Sequence, residues 1–99
     1  MPQYPANTQI GLSYAHIAGA GTNQIKGTGG LLSSLIVNVA PSGATVTLYD
    51  NTTGSAPAIA VLTFSAAVVG LPISYGLNFK TGLTIVTTGS TTDVTAVYR

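Results

Sequence analysis

Hydrophobic and polar residues alternate along this chain with a period of two, and nowhere does a period of 3.6 persist. A period of two sends successive side chains to opposite faces of an extended strand, so the pattern predicts β-structure throughout. The clearest case is 71–79 (LPISYGLNF), where the odd positions are all large and apolar and the even ones are Pro72, Ser74, Gly76 and Asn78. Such a strand buries one face. Pro72 has no N–H to donate and predicts an edge position or the start of pairing. In 44–50, Ala44, Val46 and Leu48 share one face while Thr45, Thr47 and Tyr49 share the other. The stretch 31–40 (LLSSLIVNVA) is apolar on both sides, as a central strand is, and Pro41-Ser42-Gly43 ends it.

Further strands are predicted over 58–64, 83–88 and 93–99, the last with Val94, Ala96 and Tyr98 on one face. Nearer the N-terminus Ile10, Leu12 and Tyr14 alternate, and 22–27 has the composition of a short strand. Gly, Pro, Ser and Asn punctuate these runs about every eight to twelve residues. Seven to eight strands joined by short turns predict an all-β fold, an antiparallel β-sandwich of jelly-roll type. Residues 1–21 read as an N-terminal arm with a candidate first strand, and 22–99 as the sandwich. Within the arm, residues 1–9 are polar and carry two prolines. The segment 65–70 (SAAVVG) fits a strand continuation, a turn of helix or an apolar loop.

Composition sharpens this. Only 5% of the 99 residues are charged and the net charge is +1, against roughly 25% charged in an ordinary soluble domain. A hydrophobic content of 45% excludes disorder, and the chain lacks the basic charge that binding a phosphate backbone requires. The absence of cysteine excludes a disulfide scaffold and a Cys-based metal site, and it fits a cytoplasmic origin. No charge falls within 51–79, but Pro57, Ser65, Gly70 and Pro72 argue against a membrane-spanning helix there. Met1-Pro2-Gln3-Tyr4-Pro5 has neither a basic region nor an apolar run behind it, so no secretory signal is expected.

The inventory for acid–base chemistry is Asp50, Asp93, His16, Lys26, Lys80, Arg99 and five tyrosines. A Ser-His-Asp triad could draw on His16, but no Gly-x-Ser-x-Gly motif supports it. A carboxylate pair for glycoside cleavage would have to be Asp50 and Asp93. Each stands beside turn residues, where an aspartate ordinarily accepts neighbouring backbone N–H groups. His16 has no His or Cys partner for a transition metal and reads as a half-exposed strand histidine near the domain edge. A threefold assembly would be needed to gather three copies of it. Calcium at Asp50 would rest on a lone carboxylate. Gly19-Ala20-Gly21 and Gly27-Thr28-Gly29-Gly30 complete no phosphate-binding motif and are predicted to be turns with positive φ. Asn51-Thr52-Thr53 matches a glycosylation sequon, expected to be a chance match because no secretory signal is expected. These residues predict no enzyme, no cofactor and no metal. Among the tyrosines, Tyr49 is expected to be exposed, and Tyr14, Tyr75 and Tyr98 to pack in the core.

A small sandwich turns about half of its strand residues outward. Here those positions are Thr, Ser, Asn, Ala, Gly and Val rather than Lys and Glu. Neutral faces and unguarded strand edges favour association, so a multi-copy structural protein is expected rather than a free monomer.

The run Gly30-Leu31-Leu32 with Ile36-Val37-Asn38, then 44–51 (ATVTLYDN), 79–89 (FKTGLTIVTTG) and 93–99 (DVTAVYR) resembles small virion proteins of tailed bacteriophages. The resemblance covers residues 27–99 and leaves the first 26 unmatched. It implies a capsid decoration or cement protein of the head-fibre kind, commonly a trimer on the outer capsid surface, with no catalytic residues. On that basis the expected partners are the major capsid protein and further copies of this chain, and the expected location is the virion, after synthesis in the host cytoplasm. Pro2, Tyr4 and Pro5 of the arm, with Tyr49 and Asn51, are the candidate partner-binding residues. The alternative is a glycan- or receptor-binding module of a phage fibre or tail, with Tyr49 and the 51–57 loop as the contact.

Overall fold

The computed structural model describes residues 11–99, so Pro2, Tyr4, Pro5 and the rest of the 1–9 arm lie outside the described residues. Eight strands follow one another: β1 (Ser13–Ala18), β2 (Gly21–Lys26), β3 (Gly30–Ala40), β4 (Thr45–Tyr49), β5 (Ala58–Thr63), β6 (Val68–Phe79), β7 (Leu83–Thr87) and β8 (Asp93–Tyr98). They form two four-stranded sheets, one ordered β1-β8-β3-β6 and the other β2-β7-β4-β5. Every pairing is antiparallel. The fold is an all-β sandwich, and its pairing is nested: first strand with last, second with seventh, third with sixth, fourth with fifth.

One core lies between the sheets. Ile17, Leu32, Leu35, Val37, Val94 and Ala96 from the first sheet meet Val46, Leu48, Leu83 and Ile85 from the second, with Phe64 and Phe79 beside them. The strict alternation of β4 appears as expected: Val46 and Leu48 are buried, while Thr45, Thr47 and Tyr49 are half-buried. The strand at 71–79 lies at a sheet edge, with Pro72 opposite Ile36, and alternates in burial from Ile73 to Phe79, while Leu71, on the same parity, is 39% exposed near the strand's start. Strand β6 begins three residues earlier than the clear alternation, at Val68, which places 68–70 in the strand and leaves only 65–67 as the turn.

β3 is central, and its two-sided apolarity has a specific cause. Against β8, Leu32 pairs with Tyr98 and Leu35 with Ala96, three steps on β3 for two on β8. A second extra residue enters between Val37 and Val39. Each extra residue reverses which parity of the sequence faces inward, so Leu32, Leu35, Val37 and Ala40 all reach the core.

Two expectations fail here. Tyr14 is 74% exposed rather than in the core, because Ala15 and Ile17 are the inward residues of β1, opposite Ala96 and Val94. Leu12, on the same parity, is exposed as well. The glycines of 27–30 do not carry positive φ. Gly29 and Gly30 serve close approach instead: a methyl on Gly29 would lie 2.9 Å from the Lys80 carbonyl oxygen, and one on Gly30 would collide with that of Arg99. The segment 51–79 contributes β5 and β6, and no helix of the described residues is long and apolar enough to cross a membrane.

The turn between β7 and β8 depends on Gly89, whose φ is +93°. It brings the Thr92 hydroxyl, buried, onto the Thr88 carbonyl at 2.6 Å, and the Thr92 N–H onto the Gly89 carbonyl at 3.1 Å. A methyl on Gly89 would stand 2.7 Å from the Thr92 hydroxyl oxygen in a conformation that L-residues avoid. Gly89→Ala should therefore destabilise the fold by about 1–3 kcal/mol in urea unfolding. A change below about 0.5 kcal/mol, the scale of an ordinary surface substitution, would show that the turn does not need glycine.

Candidate functional site

All charged side chains of the described residues lie at or beyond strand ends. Lys26 closes β2, Asp50 follows β4, Lys80 follows β6, Asp93 opens β8 and Arg99 follows it. The sheet faces between them carry little charge, Asp93 alone reaching onto the outer face of the first sheet, where it meets His16. On the outer face of the first sheet, registered rows run Tyr14-Val97-Ser34-Ser74 and His16-Thr95-Ile36-Pro72. On that of the second they run Thr22-Val86-Thr47-Val61 and Gln24-Thr84-Tyr49-Ala58. Val61 and Val69 are 63% and 79% exposed, and Leu71 is partly so.

Asp50 ties the end of β4 to the turn between β6 and β7. Its carboxylate accepts the backbone N–H groups of Lys80 (2.9 Å), Thr81 (2.8 Å) and Gly82 (3.4 Å) in the β6–β7 turn. The turn reading of this aspartate holds in kind but not in place, since its donors come from some thirty residues further along the chain. The N–H groups of Thr81 and Lys80, with help from Gly82 and the Lys80 charge, hold its carboxyl below the usual value of 3.8.

Asp93 departs further from the turn reading. Its carboxylate accepts Asn38 Nδ2 at 2.8 Å and faces His16 Nε2 at 2.7 Å, so three strands of the first sheet meet there through side chains. Asn38 also donates to the Thr95 hydroxyl at 3.1 Å. The Asn38 and His16 hydrogen bonds hold the Asp93 carboxyl below 3.8. An ionised carboxylate only accepts, so Nε2 of His16 carries the proton and Nδ1 is left on a ring 53% exposed. His16 thus sits where expected, on an edge strand, but paired. Among the described residues no hydroxyl hydrogen-bonds to its ring, and none of them form a group of three His, Cys, Asp or Glu that could hold a metal. The two aspartates stand at opposite ends of the sandwich: Asp50 by the end of β6, Asp93 opposite Val39, whose other neighbour is Val69 near the start of β6. A single chain therefore forms no carboxylate pair.

Tyr49 and Asn51 are close together, as their sequence neighbourhood requires. Tyr49 is half-buried rather than exposed, between Thr84 and Ala58. The Asn51 amide is engaged within its own loop, donating to the Ala56 carbonyl at 2.9 Å and accepting the Thr52 N–H at 2.7 Å. The Asn51 carbonyl also accepts the Thr84 hydroxyl at 2.8 Å. Asn51 therefore shapes the loop, and Thr52 to Pro57 form its exposed rim.

A further feature escaped sequence reasoning. Lys26, Gly30, Leu31, Asn78, Phe79 and Arg99 line an open surface groove of about 400 Å³. Reciprocal backbone hydrogen bonds of 2.8 Å between Leu31 and Arg99 hold one wall. The bare Cα of Gly30 leaves room for Lys26: a methyl there would lie 2.9 Å from Lys26 Nζ and from the Phe79 ring. Two of the three Lys and Arg residues of the chain thus line one groove, brought from strands 73 residues apart. Among the described residues, the one ion pair is His16–Asp93.

Both lowered carboxyl pKa values set a sign for acid stability. The unfolded chain binds protons first as pH falls, so the stability these groups confer is complete above 3.8 and is lost as pH drops through the lowered folded values. The urea midpoint should therefore fall over that range, and Asp50→Asn should shrink the fall. An unchanged acid slope in Asp50→Asn would remove that carboxylate from the account. Comparison of the chain with protein-family models, with curated proteins and with solved structures finds no match.

Proposed function

We propose that this protein is a multi-copy structural component of a virus particle, a capsid decoration or cement protein that works as a homotrimer on the outer capsid surface. The observation that supports this most directly is the surface: outer sheet faces whose one charged side chain is Asp93, paired with His16, and on which Val61 and Val69 are exposed. Such faces gain from being covered, because apolar area removed from water contributes roughly 25 cal/mol per Å². The nested pairing is the connectivity of a hairpin rolled into two sheets, which favours the jelly-roll form of sandwich.

The edges point the same way. β6 is blunted by Pro72 and by Gly70 and Gly76, both with positive φ, but β5 (AIAVLT) has no charge, proline or glycine within it. An edge of that kind is open to pairing. Function then lies in many weak contacts repeated over a lattice, where linkage multiplies modest affinities.

Sizing by light scattering and co-sedimentation with undecorated capsids test this reading. A trimer that pellets with capsids is expected. The double variant Val61→Lys with Val69→Lys should keep its melting temperature, both sites being exposed, and lose trimer formation or capsid occupancy. A monodisperse wild-type monomer that ignores capsids would overturn the proposal.

A further inference from the structure

Of the sheet edges among the described residues, that of β5 is the one its own sequence leaves unguarded, and its backbone restricts what can lie beside it. We propose that β5 pairs with β5 of a second copy, antiparallel, about a twofold axis at Val61, so that two four-stranded sheets join into one of eight. The contact is additional to the threefold one proposed above, and it takes from that reading only that copies of this chain meet.

The direction of the free backbone groups follows from Phe64, just after the strand. Its N–H donates to the Ala44 carbonyl at 3.0 Å and its carbonyl accepts the Gly43 N–H at 2.6 Å, so both groups face β4. Backbone groups alternate in direction along a strand. Leu62, opposite Val46, therefore faces β4 too, while Val61 and Thr63 turn their N–H and C=O groups away from it. Among the described residues β4 is the only neighbour of β5, so that outward side has no strand beside it. The β5 sequence, AIAVLT, contains no charge, proline or glycine.

A second copy fits because the edge is its own complement. With Val61 opposite Val61 of the second copy, each N–H donates to the other's carbonyl, and Thr63 stands opposite Ile59. A twofold axis normal to the sheet keeps outer face with outer face. Val61, 63% exposed, then packs on its counterpart. On the inner face Ala60 comes opposite Leu62; both are only half-buried against the core, and the pairing covers them from their open side. Neutrality matters most in a self-pairing, because identical strands bring like charges together. The other three edges lack this fit. β6 carries Pro72 and two positive-φ glycines, Gly70 and Gly76. β2 shifts register between Gln24 and Lys26 and ends on the charge of that lysine. β1 has His16 near its middle, where self-pairing would bring two imidazoles together.

The chain has no cysteine, so a single introduced thiol reports the register. Residues opposed in a hydrogen-bonded antiparallel pair have Cα atoms about 5.5 Å apart, within the span of a disulfide. The same axis separates two copies of Thr63 by about 14 Å, beyond that span. Under mild oxidation of the full chain, Val61→Cys should form covalent dimers about tenfold or more faster than Thr63→Cys, or than Val69→Cys at a more exposed site on the other sheet. In the wild type, hydrogen exchange should show the Val61 amide protected at high protein concentration. Equal linking rates for the three variants, or a Val61 amide that exchanges like an open loop at every concentration, would overturn the contact. Protection of that amide only when capsids are present would assign the edge to the capsid protein and overturn the choice of a second copy. Trimers that pellet with capsids but link no faster at Val61→Cys would sink this contact and leave the capsid reading standing. Fast linking at Val61→Cys in a protein that ignores capsids would do the reverse.

Discussion

The sandwich depends on β3 presenting four residues to one core although they do not share one parity. Leu32 and Leu35, then Val37 and Ala40, are each three positions apart, and an uninterrupted strand would turn one of each pair outward. The two extra residues, read against β8, absorb that difference. Because β3 joins β8 to β6, its local twist also sets the inward faces of its neighbours: Val94 and Ala96 on one side, Ile73 and Leu77 on the other. A fully buried Leu or Val contributes roughly 1.5–3 kcal/mol. Turning even one of these residues outward therefore costs a noticeable part of the stability of a small domain.

Much of this arrangement was legible in the chain. Alternation in 44–50 and 73–79 specifies both the strands and their buried faces, and Pro72 locates an edge, because each signal is local. The failures share one cause. Local alternation alone puts Tyr14 inward, but the parity of β1 is decided by Ala96 and Val94 across the ladder. In sequence the glycines at 29 and 30 read as turn residues, whereas their role is set by the Lys80 and Arg99 carbonyls. A one-residue shift reverses every face, and only the partner strand fixes it.

The polar sites were harder to foresee for the same reason. That Asp50 would bond backbone N–H groups follows from the chemistry of a carboxylate near turns; that the donors are Lys80 to Gly82 requires the fold. Asn38, Thr95, His16 and Asp93 come from three strands and share no motif. Lys26 and Arg99 are the extreme case, a pair made wholly by strand order. Tyr49 and Asn51 were found together because they are neighbours in the chain, yet hydrogen bonding within the loop decides what Asn51 does.

The scarcity of charge takes on a different meaning once the charges are placed. Spread over the faces, five charged residues would have been weak guards against association. Gathered at strand ends, they divide into two kinds. The acidic ones are engaged in holding the sandwich together, Asp50 across its two sheets and Asp93 across three strands. The basic ones form no ion pair among the described residues, and two of them share a groove. The negative charge is thus tied into the sandwich by hydrogen bonds, while the positive charge forms no ion pair among the described residues.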